Sequence, residues 1–96
     1  MLTPDQFSDK RLKQLYQNGV VRGLNNDWLP KIKRYLAALA VAVDPKDLDM
    51  PGSHWHQLKG NRSDTYSVRV SGNWRLTYRW IDNGPANVKL EDYHGN

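Results

Sequence analysis

Two hydrophobic periods divide the chain. From Asp27 onward, Leu29, Ile32, Leu36, Leu39 and Val43 recur at alternating steps of three and four. This spacing predicts a helix with one continuous apolar stripe. Trp28, Tyr35 and Ala40 widen the stripe, while Lys31, Lys33 and Arg34 flank it. Pro30 is tolerated in the first turn, and the helix is expected to end before Pro45. A shorter helix is predicted upstream, with Ser8 as N-cap, Leu12, Leu15 and Tyr16 on one face and Gly19 as the stop. Between the two, "VVRGLNN" turns the chain. The pattern of Leu2–Phe7 leaves a short leading strand open. Residues 44–64 have no period and are rich in Pro, Gly and Asp, so they are expected to be mostly loop.

Beyond Asp64 the period becomes two. Tyr66, Val68 and Val70 alternate with polar residues, as do Leu76, Tyr78 and Trp80, and then Val88 and Leu90. Three half-buried antiparallel strands are predicted, joined at "SGNW" and "DNGP". Opposed residues share a face, so Val70 is expected across from Leu76, with Arg69 facing Thr77 and Ser71 facing Arg75. That register leaves Gly72, Asn73 and Trp74 as the turn. One sheet face is then apolar and available to the helices. The other carries Arg69, Arg75, Arg79 and Lys89, a cationic surface suited to phosphate. The same residues also suit an ordinary solvated face.

Composition narrows the function. Ninety-six residues make one domain with one core. The absence of cysteine excludes disulfides, thiol catalysis and thiolate metal sites, and fits a reducing compartment. No apolar run reaches the ~20 residues of a membrane span, and no apolar signal segment opens the chain. A formal charge of +4 favours an anionic partner.

Candidate chemistry rests on few residues. His54 and His56 alternate, but no spaced carboxylate completes a familiar metal set. Metal-free acid–base chemistry is better supported, because imidazole exchanges protons near neutrality. His56 and His94 qualify, Asp92 can orient a histidine or act as base, and Tyr93 can donate. Lys59, Arg62, Arg69 and Arg75 can hold a phosphate and stabilise the added charge of a pentacoordinate transition state. Such a set cleaves RNA, whose 2′-hydroxyl is a built-in nucleophile that DNA lacks. Strand parity runs partly against convergence. Asp92 and His94 share the parity of Val88 and Leu90, so an undisturbed strand brings only Tyr93 to the Arg75 face, and a terminal bulge would be needed to gather all three.

The stretch "HQLKGNRSDTYSVRVSGNWRLTYRW" with the closing "VKLEDYH" resembles the HigB toxins of bacterial type II toxin–antitoxin systems, within the RelE/ParE superfamily. The likeness is carried over His56–His94 by "LKG-N-R", "NWR" and "EDYH"; the first half adds only a compatible size and helix order. The resemblance implies an α+β chain, 1–96 being one toxin domain with a compact RelE-like microbial ribonuclease fold. Two N-terminal helices would pack on an antiparallel sheet of three to four strands. It further implies a ribosome-dependent, metal- and cofactor-independent endonuclease that cuts mRNA in the decoding site of bacterial cytoplasmic ribosomes. A HigA-like helix-turn-helix antitoxin would neutralise it, with operator DNA contacted only through that antitoxin and no membrane involved. On this resemblance the catalytic positions are His56, Asp92, Tyr93 and His94, supported by Lys59 and Arg75, with Arg62 and Arg69 as further RNA contacts. Base and acid are not assigned between them. The N-terminal half and the Gly95–Asn96 tail depart from the pattern. Two other readings remain: a ParE-like toxin that inhibits gyrase, and a non-catalytic nucleic-acid-binding module.

Overall fold

The computed structural model describes residues 1–93. Its first helix, α1, spans Lys10–Asn18, and its second, α2, spans Leu29–Val41. Four strands, β1 (His56–Gln57), β2 (Thr65–Ser71), β3 (Trp74–Ile81) and β4 (Gly84–Asp92), form one antiparallel sheet in the order β1-β2-β3-β4. The α+β class and the two-helix, four-strand plan match the expectation. No helix among the described residues is long and apolar enough to cross a membrane.

Each helix is bounded by local chemistry. Asp9, not Ser8, caps α1, its Oδ1 accepting the Arg11 N–H at 3.0 Å. Ser8 is instead drawn to the sheet, its N–H donating to the Val88 carbonyl. Asp9 does double duty, since its Oδ2 accepts the Leu90 N–H at 3.0 Å and ties α1 to β4. Gly19 ends α1 at φ +69°, a left-handed conformation that glycine reaches without steric cost. Leu2–Phe7 is not a strand: Pro4–Gln6 form a 3-10 turn, and Phe7 makes a single parallel bridge to Val88.

The α2 stripe holds except at its end. Ile32, Tyr35, Leu36 and Leu39 are buried, but Val43 is 83% exposed and lies outside the helix. The backbone turns extended at Ala42, and Asp47 accepts the Val43 and Asp44 N–H groups to start a new 3-10 turn, Pro45–Leu48. Capping by these aspartates wins over one more turn of apolar spacing.

In the core, the α2 side chains and Leu12 and Leu15 of α1 meet Val68, Val70, Leu76, Tyr78, Val88 and Leu90 on one sheet face. Burying each such side chain is worth about 1.5–3 kcal/mol, so this layer carries much of the stability.

The β2–β3 register differs from expectation by two residues. Val68, not Val70, opposes Leu76, Ser67 opposes Thr77 and Arg69 opposes Arg75. A bulge lies between Arg69 and Ser71, and Ser71 pairs with Trp74 across a Gly72–Asn73 turn. A two-residue slip preserves the buried face, so hydrophobic alternation alone could not choose between these registers. The shorter turn, with Gly72 at φ +54°, decides it.

Residues 44–64 are also less loop-like than expected. Besides the Pro45–Leu48 turn they contain β1 and a second 3-10 turn, Gly60–Arg62. His56 pairs with Ser67 and Gln57 with Tyr66. Two residues are too few to show a period, which is why this edge strand escaped the pattern.

Candidate functional site

The placement of His56 begins with its neighbour Trp55. The Trp55 indole N–H donates to the Tyr78 hydroxyl at 2.9 Å, and its ring stacks on Tyr66 at 5.7 Å. Tyr78 donates in turn to the Pro45 carbonyl at 2.6 Å. Burial pushes the Tyr78 phenol up, so it keeps the proton that this bond requires. Trp55 is thus fixed on the helix side, and alternation sends His56 to the opposite face, against Ser67.

The His56 ring is oriented at both nitrogens. Nδ1 lies 3.2 Å from the His54 carbonyl, and Nε2 lies 3.5 Å from the Ser67 hydroxyl. A carbonyl only accepts, so the neutral ring carries its proton on Nδ1 and its lone pair on Nε2. That tautomer presents a proton acceptor to the sheet face.

This face is not the open cationic surface expected from the sequence. The 59–64 segment folds over part of it, and Thr65, Ser67 and Thr77 are buried. Arg62 reaches from the Gly60–Arg62 turn to Glu91 in a two-pronged ion pair, with Nη1 to Oε1 and Nη2 to Oε2 both at 2.9 Å. The Thr77 hydroxyl donates to Glu91 Oε2, and Lys89 Nζ stands 4.0 Å from the same oxygen. The Arg62 guanidinium beside it holds the Glu91 carboxyl down at about 2, against the opposing effect of burial. Arg79 is likewise engaged, by Asp64 at 2.7 Å. Sequence reasoning missed both pairs because one member of each, Arg62 or Asp64, lies in a segment read as loop.

Arg69 and Arg75 oppose each other across β2 and β3, and Arg75 opposes Glu91 across β3 and β4. Arg75 Nη1 donates to the Gly72 carbonyl at 2.8 Å, while its Nε is buried with no hydrogen-bond partner among the described residues. The Arg69 backbone is pinned on both sides: its N–H donates to Ser53 and its carbonyl accepts the Tyr35 hydroxyl at 2.6 Å. Lys59 is exposed at the edge of the covering turn and enters none of the ion pairs among the described residues.

The end of β4 answers the parity question up to Tyr93. Pairing runs undisturbed through Leu76–Leu90, Arg75–Glu91 and Trp74–Asp92, and the Tyr93 N–H donates to the Asn73 carbonyl at 2.8 Å. The β4 irregularity lies farther back, opposite Thr77–Arg79, near Asn87 at φ +53°. Tyr93 therefore shares the face of Glu91 and Arg75, with the Arg62 guanidinium 5.8 Å from its ring centroid. Asp92 is exposed on the opposite pleat, paired with Trp74. His94 lies outside the described residues.

The sheet thus gathers His56, Arg69, Arg75, Lys89, Glu91 and Tyr93 on one side, with Lys59 and Arg62 supplied by the covering segment. Among the described residues no three His, Cys, Asp or Glu side chains form a group able to hold a metal. A cavity of about 530 Å³ lies elsewhere, lined by residues of α1 and the following turn, including Lys10, Arg11 and Arg22. None of the proton-handling residues borders it, and Arg11 is already held by Asp9.

The model of the RelE-like toxin of the type II toxin–antitoxin system HigB matches residues 5–94. The chain belongs to this HigB-like toxin family. It is similar to the Endoribonuclease HigB of Proteus vulgaris, 33% identical over 88 residues covering 92% of this chain and 96% of that protein. It is also similar to the Toxin HigB-1 of Vibrio cholerae serotype O1 (strain ATCC 39315 / El Tor Inaba N16961), 30% identical over 90 residues covering 92% of this chain and 95% of the other. The match runs through both halves, so family membership extends beyond the segment between His56 and His94 that suggested it.

Proposed function

We propose that this chain is the endoribonuclease toxin of a type II toxin–antitoxin pair, cutting mRNA on translating ribosomes in the bacterial cytoplasm. The single observation that carries the reading is the common face of His56, Arg75 and Tyr93. It joins an oriented proton acceptor, a cation and a proton donor on one rigid sheet. The similarity to the Endoribonuclease HigB of Proteus vulgaris supports it. A HigA-like helix-turn-helix antitoxin is the neutralising partner, and 1–96 acts as one toxin domain.

The chemistry follows from the groups. Arg69, Arg75 and Lys59 hold the phosphate of a ribosome-bound message. Nε2 of His56 takes the proton of the 2′-hydroxyl, whose oxygen attacks the adjacent phosphorus. The bond to the 5′-oxygen breaks, and that oxygen takes a proton from Tyr93 or from His94, the next residue in the sequence. The products are a 2′,3′-cyclic phosphate and a 5′-hydroxyl. Arg75 stabilises the extra negative charge of the transition state. Asp92, exposed on the opposite pleat from Tyr93, contributes from the rim.

The test is cleavage of a defined message on programmed ribosomes. His56→Ala should lower the rate by roughly 10²–10⁴-fold. Wild-type cleavage by that variant would remove His56 from the mechanism. Blocked gyrase supercoiling with the message left whole would replace the nuclease reading altogether.

A further inference from the structure

We propose that Glu91, acting through Arg62, positions the Tyr93 ring at the rim of the sheet, so that Arg62 serves the reaction as a brace and not as a contact to RNA. The proposal deepens the nuclease reading and rests on it.

The geometry is a relay of four side chains that ends on the Tyr93 ring. Thr77 is wholly buried, and its hydroxyl donates to Glu91 Oε2. Glu91 then takes the Arg62 fork on both oxygens, at 2.9 Å each. The Cζ of that guanidinium lies over the Tyr93 ring, 5.8 Å from its centroid, within reach of a cation–π contact. The Tyr93 backbone is held independently by its bond to the Asn73 carbonyl. Main chain and ring are thereby fixed by separate elements, the β2–β3 turn and the covering 3-10 turn. A phenolic proton delivered to a leaving oxygen needs this kind of placement, since a misplacement of about 1 Å costs up to roughly 10²-fold in rate.

The same contacts argue against Arg62 as a phosphate ligand. A planar fork satisfied by a carboxylate in two-pronged geometry has its best recognition edge occupied. A phosphate would have to displace Glu91, which the strand backbone and Thr77 hold in place. The carboxyl, held ionised at neutral pH, does not release the fork by taking up a proton.

Glu91→Gln keeps the shape and removes the charge, whereas Arg62→Lys keeps the charge and removes the fork. Single-turnover cleavage of ribosome-bound message should fall by roughly 10–100-fold in either variant. Half-saturation should stay within about twofold of wild type. In a Tyr93→Phe background, which keeps the ring and loses the hydroxyl, Glu91→Gln should add less than about twofold. Ring proton shifts of Tyr93, measured by NMR without ribosomes, should move in both variants. Unfolding curves establish that each variant is folded at the assay temperature, and Arg62→Lys carries the cycle if Glu91→Gln is not. Wild-type cleavage rates in folded variants would overturn the proposal. So would an undiminished effect in the Tyr93→Phe background, or a loss confined to half-saturation, which would make Arg62 an RNA contact. A wild-type protein that cleaves nothing would instead sink the nuclease reading beneath it.

Discussion

Glu91 also permits a stability test that needs no RNA. Its carboxyl titrates at about 2 where 4.5 is usual, because Arg62, Thr77 and Lys89 favour the ionised form. At about 1.36 kcal/mol per pH unit, that difference corresponds to on the order of 3 kcal/mol. The Glu91 side chain is 21% exposed and Arg62 33%, so solvent screening lowers the expected value to about 2 kcal/mol. The sign follows from the depressed value. The contribution is fully present above the unfolded pKa of 4.5 and is lost as pH falls toward 2. Urea unfolding of wild type and Glu91→Gln, repeated from about pH 7 down to about pH 2.5, reads it directly. Wild type should be more stable by about 2 kcal/mol at neutrality, with the gap closing below pH 4.5. Contributions from other carboxylates, such as Asp9 and Asp64, are common to both proteins and cancel in the difference. A gap that stays constant across this range would refute the reasoning, because it would reflect the shape of the amide and not the ionised pair.

Two further perturbations test the scaffold around the face. Asp9→Ala removes the cap of α1, the partner of Arg11 and the acceptor of the Leu90 N–H together. It should cost about 3 kcal/mol in chemical unfolding, with Asp9→Asn costing less because it can still cap. Tyr35→Phe leaves the Arg69 carbonyl without its 2.6 Å donor. It should destabilise by about 1–2 kcal/mol and also slow cleavage, since the bond fixes Arg69 beside the β2 bulge. An effect on stability with no change in rate would mean that Arg69 needs no such anchoring.

Much of this architecture was visible in the chain itself, for reasons that differ by element. The Ile32–Leu36–Leu39 spacing marks α2 because a helix buries every third or fourth residue. Its end was misplaced, because Asp44 and Asp47 begin a new turn where Val43 still keeps the apolar rhythm. Alternation assigned faces to Val68, Leu76, Val88 and Leu90, yet it cannot distinguish Val68 from Val70 as the partner of Leu76. Parity likewise placed Tyr93 beside Arg75 and Asp92 away from it, and the regular pairing at the end of β4 follows that parity. The ion pair that closes over the cationic face was not legible. Arg62 and Glu91 stand 29 residues apart, and only folding of the Gly60–Arg62 turn over β4 brings them together.

The central claim is that the sheet face carrying His56, Arg75 and Tyr93 breaks RNA by attack of the neighbouring 2′-hydroxyl. The most direct measurement maps the wild-type cut on a ribosome-bound message, then replaces the nucleotide on the 5′ side of that cut by its 2′-deoxy form. The substituted message should remain intact at that position, while the all-ribose message yields a 5′-hydroxyl and a cyclic phosphate. Cleavage of the deoxy position at the original rate would contradict the account.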